Sequence, residues 1–131
     1  MSEISSKPEN YLSGIIVDTC FHIHTELGPG LLESVYEEIL FYELRKQNMA
    51  VQRQQPIPVV WDDINMELGF RADLIVENKV LVELKSVKDL ADLHYKQVLT
   101  YLKLTNLKLG LLINFNEKLI KNGIKRVVNN L

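Results

Sequence analysis

The chain has 131 residues, 47% hydrophobic and 24% charged, which suits one domain with its own core and excludes a disordered chain or a mini-fold that depends on staples. The formal net charge of −2 argues against a general nucleic-acid binder, but residues 1–70 hold 4 Lys and Arg against 11 Asp and Glu, and residues 71–131 hold 11 against 6. The basic C-terminal half is either a surface that can track a phosphate backbone or a plain solvated lysine-rich face.

The first ten residues, Met1 to Asn10, are polar and read as a flexible tail without the apolar core of a leader. A helix is expected from about Tyr11 to Leu27, because Leu12, Ile15, Ile16, Thr19, Cys20, Ile23 and Leu27 recur at helical spacing. Gly28-Pro29-Gly30 breaks it. A second amphipathic helix follows over about Leu31 to Gln47, with Leu32, Val35, Tyr36, Ile39, Leu40 and Leu44 on one side. The pattern then turns to strands. Val51 to Trp61 carries Pro56 and Pro58 and reads as an edge or irregular strand. Asp62 to Asn65 reads as a turn, Met66 to Val76 as a strand, Glu77-Asn78-Lys79 as a break, and Val80 to Lys85 as a strand of branched residues. Asp89 is placed to cap a helix running to about Leu104. Lys108 to Phe115 is near-continuously apolar, as in a strand covered on both faces. Ile124, Arg126 and Val128 alternate like a short last strand. This order implies one α/β domain over residues 1–131, a mixed sheet with helices packed on it.

No apolar run reaches the ~20 residues that span a bilayer. The single cysteine, Cys20, lies in an apolar stretch and reads as a buried small hydrophobe. A cytoplasmic location is the expectation. His22 and His24 flank Ile23 on a helix and so point apart. His24 reads as a packing residue near the glycine-rich turn.

Three polar residues interrupt two apolar strands: Asp73 in the first, Glu83 and Lys85 in the second. Strand side chains alternate faces, so Glu83 and Lys85 point one way, and Val80, Val82 and Leu84 the other. If Glu77-Asn78-Lys79 is the hairpin loop, Val76 pairs with Val80 and Asp73 falls opposite Glu83. Opposed residues have Cβ atoms ~5 Å apart. Two carboxylates that close need a proton or a cation between them, and a hard divalent ion such as Mg²⁺ suits oxygen ligands. A lysine beside such an ion can orient water or stabilise charge on a phosphoryl oxygen. The plain alternative is a Glu–Lys pair on an exposed hairpin face.

Asp73 followed by Glu83-Leu84-Lys85 on the next strand resembles the PD-(D/E)XK nuclease signature. Gly30-Leu31-Leu32-Glu33-Ser34-Val35-Tyr36 resembles the motif that names the bacterial and archaeal GxxExxY proteins, a group of that type. The similarity runs from about Ile16 to Val128 and departs at Ala72, where the signature has proline. It implies a restriction-endonuclease-like core, a four-stranded mixed sheet flanked by helices, with Mg²⁺ or Mn²⁺ at the central hairpin. Carried over by position, Asp73 and Glu83 are metal ligands, Lys85 is the catalytic lysine, Glu33 is a further acidic ligand, and Gln97 is a polar residue facing the site. Gln97 and Tyr101 share a helix face with His94 nearby, which a hydrogen-bonded helix boundary would also explain. The helix dipole alone favours an acid at Glu33.

The reading is a metal-dependent nuclease hydrolysing phosphodiester bonds in DNA or RNA, with Lys88, Lys96 and Lys103 meeting phosphates. Small nucleases of this type commonly act as homodimers, which is the expectation here. The alternative is a non-catalytic nucleic-acid-binding or protein-interaction module that retains the fold.

Overall fold

The computed structural model describes residues 7–66 and 70–131. Helix α1 (Glu9–Leu27) and helix α2 (Glu33–Lys46) come first, then strands β1 (Val51–Pro56), β2 (Val59–Trp61), β3 (Ile64–Met66), β4 (Arg71–Val76) and β5 (Val80–Lys85). Helix α3 (Asp92–Thr105), strand β6 (Leu109–Asn114), a 3₁₀ turn at Ile120–Gly123 and strand β7 (Ile124–Val128) complete the chain. The main sheet runs β1-β4-β5-β6-β7, with β5 and β6 parallel and every other neighbour antiparallel. It is therefore mixed, as expected, but has five strands rather than four. The fifth strand is β7, the short last strand read from Ile124, Arg126 and Val128, which folds back on β6 as a new edge.

The sheet is covered on both faces. Helices α1 and α2 pack Leu12, Ile16, Tyr36 and Leu40 against Leu74, Val82 and Leu84. Helix α3 packs Val98, Tyr101 and Leu102 against Ile75, Leu81 and Leu112 on the other face. Every residue of β6 is buried, which is why its sequence is an unbroken apolar run and not an alternation. Gly110 allows α3 to close on β6, since a Cβ there would lie 2.7 Å from Val98 Cγ1. Cys20 is fully buried, and burial pushes its thiol well above the ordinary range, so it packs as a hydrophobe.

Several boundaries differ from expectation. Residues 9 and 10 belong to α1 and not to a tail, because the helix starts directly behind Pro8; residues 1–6 lie outside the described residues. The segment Val51–Trp61 is two strands. Pro56 ends β1, and Ile57 turns into the core at 1% exposure, its N–H donating to Phe70 O at 2.8 Å. Val59–Trp61 then pairs with Ile64–Met66 as a separate ribbon, so only Asp62 and Asp63 form the turn. The strand expected over Met66 to Val76 holds for Arg71–Val76, and residues 67–69 lie outside the described residues. Asp89 does not cap α3. That helix starts after Ala91, whose N–H donates to His94 Nδ1 at 3.0 Å. Among the described residues, no helix is long and apolar enough to cross a membrane.

Asn114 ties the sheet to the loop that follows β5. It is 0% exposed; its Oδ1 accepts from Val87 N–H at 3.1 Å and Asn116 N–H at 3.2 Å, and its Nδ2 donates to Val87 O at 2.8 Å. Asn114→Ala leaves these half-buried backbone groups without their partners and is expected to cost about 2 kcal/mol. Urea unfolding should show a lower midpoint at unchanged slope. A wild-type midpoint would mean that the loop is held by other contacts.

Candidate active site

The site begins with the β4–β5 hairpin. Glu77 and Asn78 both have φ of 54°, and Lys79 N–H closes the turn on Val76 O at 3.0 Å. Asn adopts this conformation readily and Glu does not. Glu77 is held there by Ala50, donating to Ala50 O at 2.7 Å and accepting from Ala50 N–H through Oε2 at 2.8 Å. The register is Val76↔Val80, Ile75↔Leu81 and Leu74↔Val82, as counted from the three-residue loop. Continued by one step, it opposes Asp73 to Glu83.

At that step the backbone ladder stops and carboxylates take its place. Asp73 N–H donates to Glu83 Oε1 at 3.1 Å, and Leu84 N–H donates to Asp73 Oδ2 at 2.8 Å. Each acid thus accepts a backbone N–H from the opposite strand. Glu83 is 6% exposed and Asp73 is half-buried. Burial drives both carboxyls up, Asp73 to about 6 and Glu83 to about 8, and for Glu83 the charge of Asp73 adds to the burial. The backbone N–H of Leu84 pulls Asp73 the other way, with Glu37 pushing it up again. Tyr101 on α3 is raised by burial first and then by the charges of Glu83 and Asp73.

Lys85 follows two residues after Glu83 on β5, and its charge opposes the rise at Glu83. Its ammonium makes no hydrogen bond or ion pair with a described residue. Glu83, Lys85 and Leu81 share one side of β5, and Leu81 lies in the core beneath α3. The face that carries Glu83 is therefore covered by α3 and is not an open hairpin surface.

Asp73 also borders a cleft of about 640 Å³, which reaches to Gly30, Glu33 and Glu37 on the α2 side and to Ser86 after β5. Glu33 borders the same cleft, exposed, with Oε1 accepting from Ser86 N–H at 3.2 Å. Among the described residues, no group of three or more His, Cys, Asp or Glu is placed to hold an ion. Gln97 is half-buried on α3, one turn before Tyr101, and has no hydrogen bond to Asp73, Glu83 or Lys85. Tyr36 lies in the core, stacked on Phe115 with ring centres 4.4 Å apart. Its hydroxyl donates to Gly28 O at 2.6 Å and accepts from Leu31 N–H at 3.2 Å, so it pins the loop that forms the cleft wall. His24 Nε2 donates to Glu117 O at 2.8 Å, a packing role as read from the sequence.

Sequence reasoning missed Glu37. It is 7% exposed and lines the same cleft one turn beyond Glu33. Its Oε2 accepts from Arg53 Nε at 2.7 Å and its Oε1 from Gln54 Nε2 at 2.6 Å. The only sequence signal was its position beside Tyr36 on the buried side of the helix.

Do these residues fit a cation? Asp73 and Glu83 do. They are a close, partly desolvated pair whose mutual repulsion a proton or a divalent ion relieves, and carboxylate oxygens are the donor type such ions take.

A mixed sheet between helices, with two acids and a lysine at the open end of its central hairpin, is a nuclease-type architecture. The chain belongs to the PD-(D/E)XK nuclease superfamily, whose family model matches residues 10–127. No curated protein and no solved structure matches it.

Proposed function

We propose that the chain is a divalent-cation-dependent nuclease that hydrolyses phosphodiester bonds in DNA or RNA. The carrying observation is the Asp73–Glu83 pair, each acid bonded to a backbone N–H of the opposite strand, with Asp73 lining a cleft and Lys85 two residues after Glu83 on β5. Nucleases of the superfamily generally use divalent metal ions. Asp73 and Glu83 would hold Mg²⁺ or Mn²⁺, which when bound polarises the phosphate and lowers the pKa of water. Lys85 would stabilise negative charge on the phosphoryl oxygen and orient the attacking water. Glu33, which lines the same cleft, would supply a further acidic contact. Gln97 would face the substrate from α3. The exposed lysines Lys88, Lys96 and Lys103 would meet the phosphate backbone, so binding would weaken with salt. The grouping with the GxxExxY proteins rests on Gly30, Glu33 and Tyr36. The reading further takes the chain as a single domain that works in the cytoplasm as a homodimer.

A second reading draws on Glu33, whose Oε1 accepts from Ser86 N–H, and on there being, among the described residues, no group of three or more His, Cys, Asp or Glu placed to hold an ion. In it the fold is kept as a non-catalytic module that binds nucleic acid or protein. A panel of single-stranded, duplex and branched DNA and of RNA, incubated with Mn²⁺, separates the two. The nuclease reading expects cleavage of at least one substrate, lost in Asp73→Ala and suppressed by salt. Wild-type protein that cuts none of them, like Asp73→Ala, would favour the module.

A further inference from the structure

Gln54 stands in the middle of β1 with φ of 51°, a left-handed backbone that non-glycine residues seldom adopt in a strand. The β1–β4 ladder is formed at Arg53↔Leu74 and at Gln55↔Ala72 and is missing at the step between, where Gln54 meets Asp73. Such strain persists only where the surroundings impose it, and it gathers at functional sites.

The surroundings here are specific. Arg71 Nη1 donates to Gln54 O at 3.2 Å. The Gln54 side-chain amide donates from one nitrogen to two acids, to Glu37 Oε1 at 2.6 Å and to Asp73 Oδ1 at 3.2 Å. Arg53 Nε donates to the other oxygen of Glu37 at 2.7 Å. Consecutive residues of a regular strand point to opposite faces. Arg53 and Gln54 are consecutive, yet both hold Glu37. The left-handed turn of the backbone at Gln54 suspends the alternation and makes that arrangement possible.

We propose that Gln54 is a positioning residue of the site: anchored on Glu37, its amide fixes Asp73 Oδ1 in the orientation that receives a cation. This rests on the nuclease reading above. A neutral amide with two N–H groups suits the task, because it holds two carboxylates together without discharging either. Arg53 balances the charge of Glu37 and leaves that of Asp73 for a ligand. Leu84 N–H fixes the second oxygen of Asp73 at 2.8 Å, so both oxygens of the acid are oriented, by a strand on either side. Outer groups that orient a metal ligand typically govern affinity by about 10–100-fold.

The test uses Gln54→Asn and Gln54→Gly. Asn and Gly both tolerate the left-handed backbone, and neither reaches the two acids. The full-length variants are expected to keep the wild-type Tm within a few degrees and to bind Mn²⁺ about tenfold more weakly by calorimetry, with Asp73→Ala as the zero. Wild-type Mn²⁺ affinity in both variants would overturn the proposal. So would a large fall in Tm that accounts for the affinity loss, since it would mark Gln54 as a mere strut between β1 and α2. If wild-type protein binds no Mn²⁺, the nuclease reading fails by itself. The clamp is then judged by the Gln54 side-chain amide protons in NMR. Slow exchange in wild type that is lost in Asp73→Ala supports it, and free exchange in wild type refutes it.

Discussion

Glu83→Gln is expected to stabilise the protein at pH 8 by about 2 kcal/mol and to abolish its divalent-cation binding. Glu83 is 6% exposed and beside Asp73, and its carboxyl is raised to about 8, against about 6 for Asp73. In the unfolded chain both acids return to about 4. Between these values the folded protein keeps protons that the unfolded chain has shed. Stability therefore falls as pH rises from about 4 towards 8. It is fully present below the unfolded pKa values and lost as the pair ionises in the folded state. The two acids titrate as a coupled pair, so the fall is spread over both steps. The substitution removes one charge, while the amide oxygen it introduces can still accept from Asp73 N–H, which in wild type bonds Glu83 Oε1 at 3.1 Å. Urea unfolding at pH 5 and pH 8 reads the effect. The variant should gain much more at pH 8 than at pH 5. An equal difference at both values would show that the acids are not strained in the folded state. Mn²⁺ should stabilise wild type at pH 8 more than at pH 5, since protons compete for the same oxygens, and should leave the variant unchanged.

The same pair shows what was legible beforehand. The register of β4 and β5 follows from alternation and from the three-residue loop, both local, so the opposition of Asp73 to Glu83 could be counted without a structure. The covered strand β6 was equally plain from its apolar run. What was hidden depends on contacts distant in sequence. Glu37 reads as one more acid on a helix next to Glu38, and it becomes buried only because β1 lays Arg53 and Gln54 over it. No pattern of residue types announces a left-handed residue inside a strand, so Gln54 left no trace. Val51–Trp61 carried a visible warning in Pro56 and Pro58, but alternation cannot say that Ile57 dives into the core and that the chain resumes as a separate ribbon. Glu33 stands on the first turn of α2, where the helix dipole favours an acid. Its partner, Ser86 N–H, belongs to a loop whose path is set by Asn114 on another strand.

Lys85→Ala is expected to slow cleavage by about 10³-fold while leaving cation affinity within a few-fold of wild type. Lys85 is half-buried, lies on the Glu83 side of β5, and spends its charge on no hydrogen bond or ion pair with a described residue. A cation held near Glu83, in a site partly removed from water, is placed for charge that appears only as the phosphodiester reacts. Such a group contributes to the reacting state more than to the bound state. Its loss should therefore lower the single-turnover rate and barely move the concentration of Mn²⁺ needed for half-saturation. The small change that remains has a definite sign. Lys85 holds the Glu83 carboxyl down, so removing it lets Glu83 rise further and weakens cation binding slightly at neutral pH. Lys85→Met keeps the apolar stem and should behave like Lys85→Ala, which sets aside lost packing as the cause. Lys85→Arg keeps the charge but spreads it over a planar, forked group, and should recover only part of the rate. If rate and affinity fell together in all three variants, Lys85 would be a support of the carboxylate pair rather than a participant in the reaction.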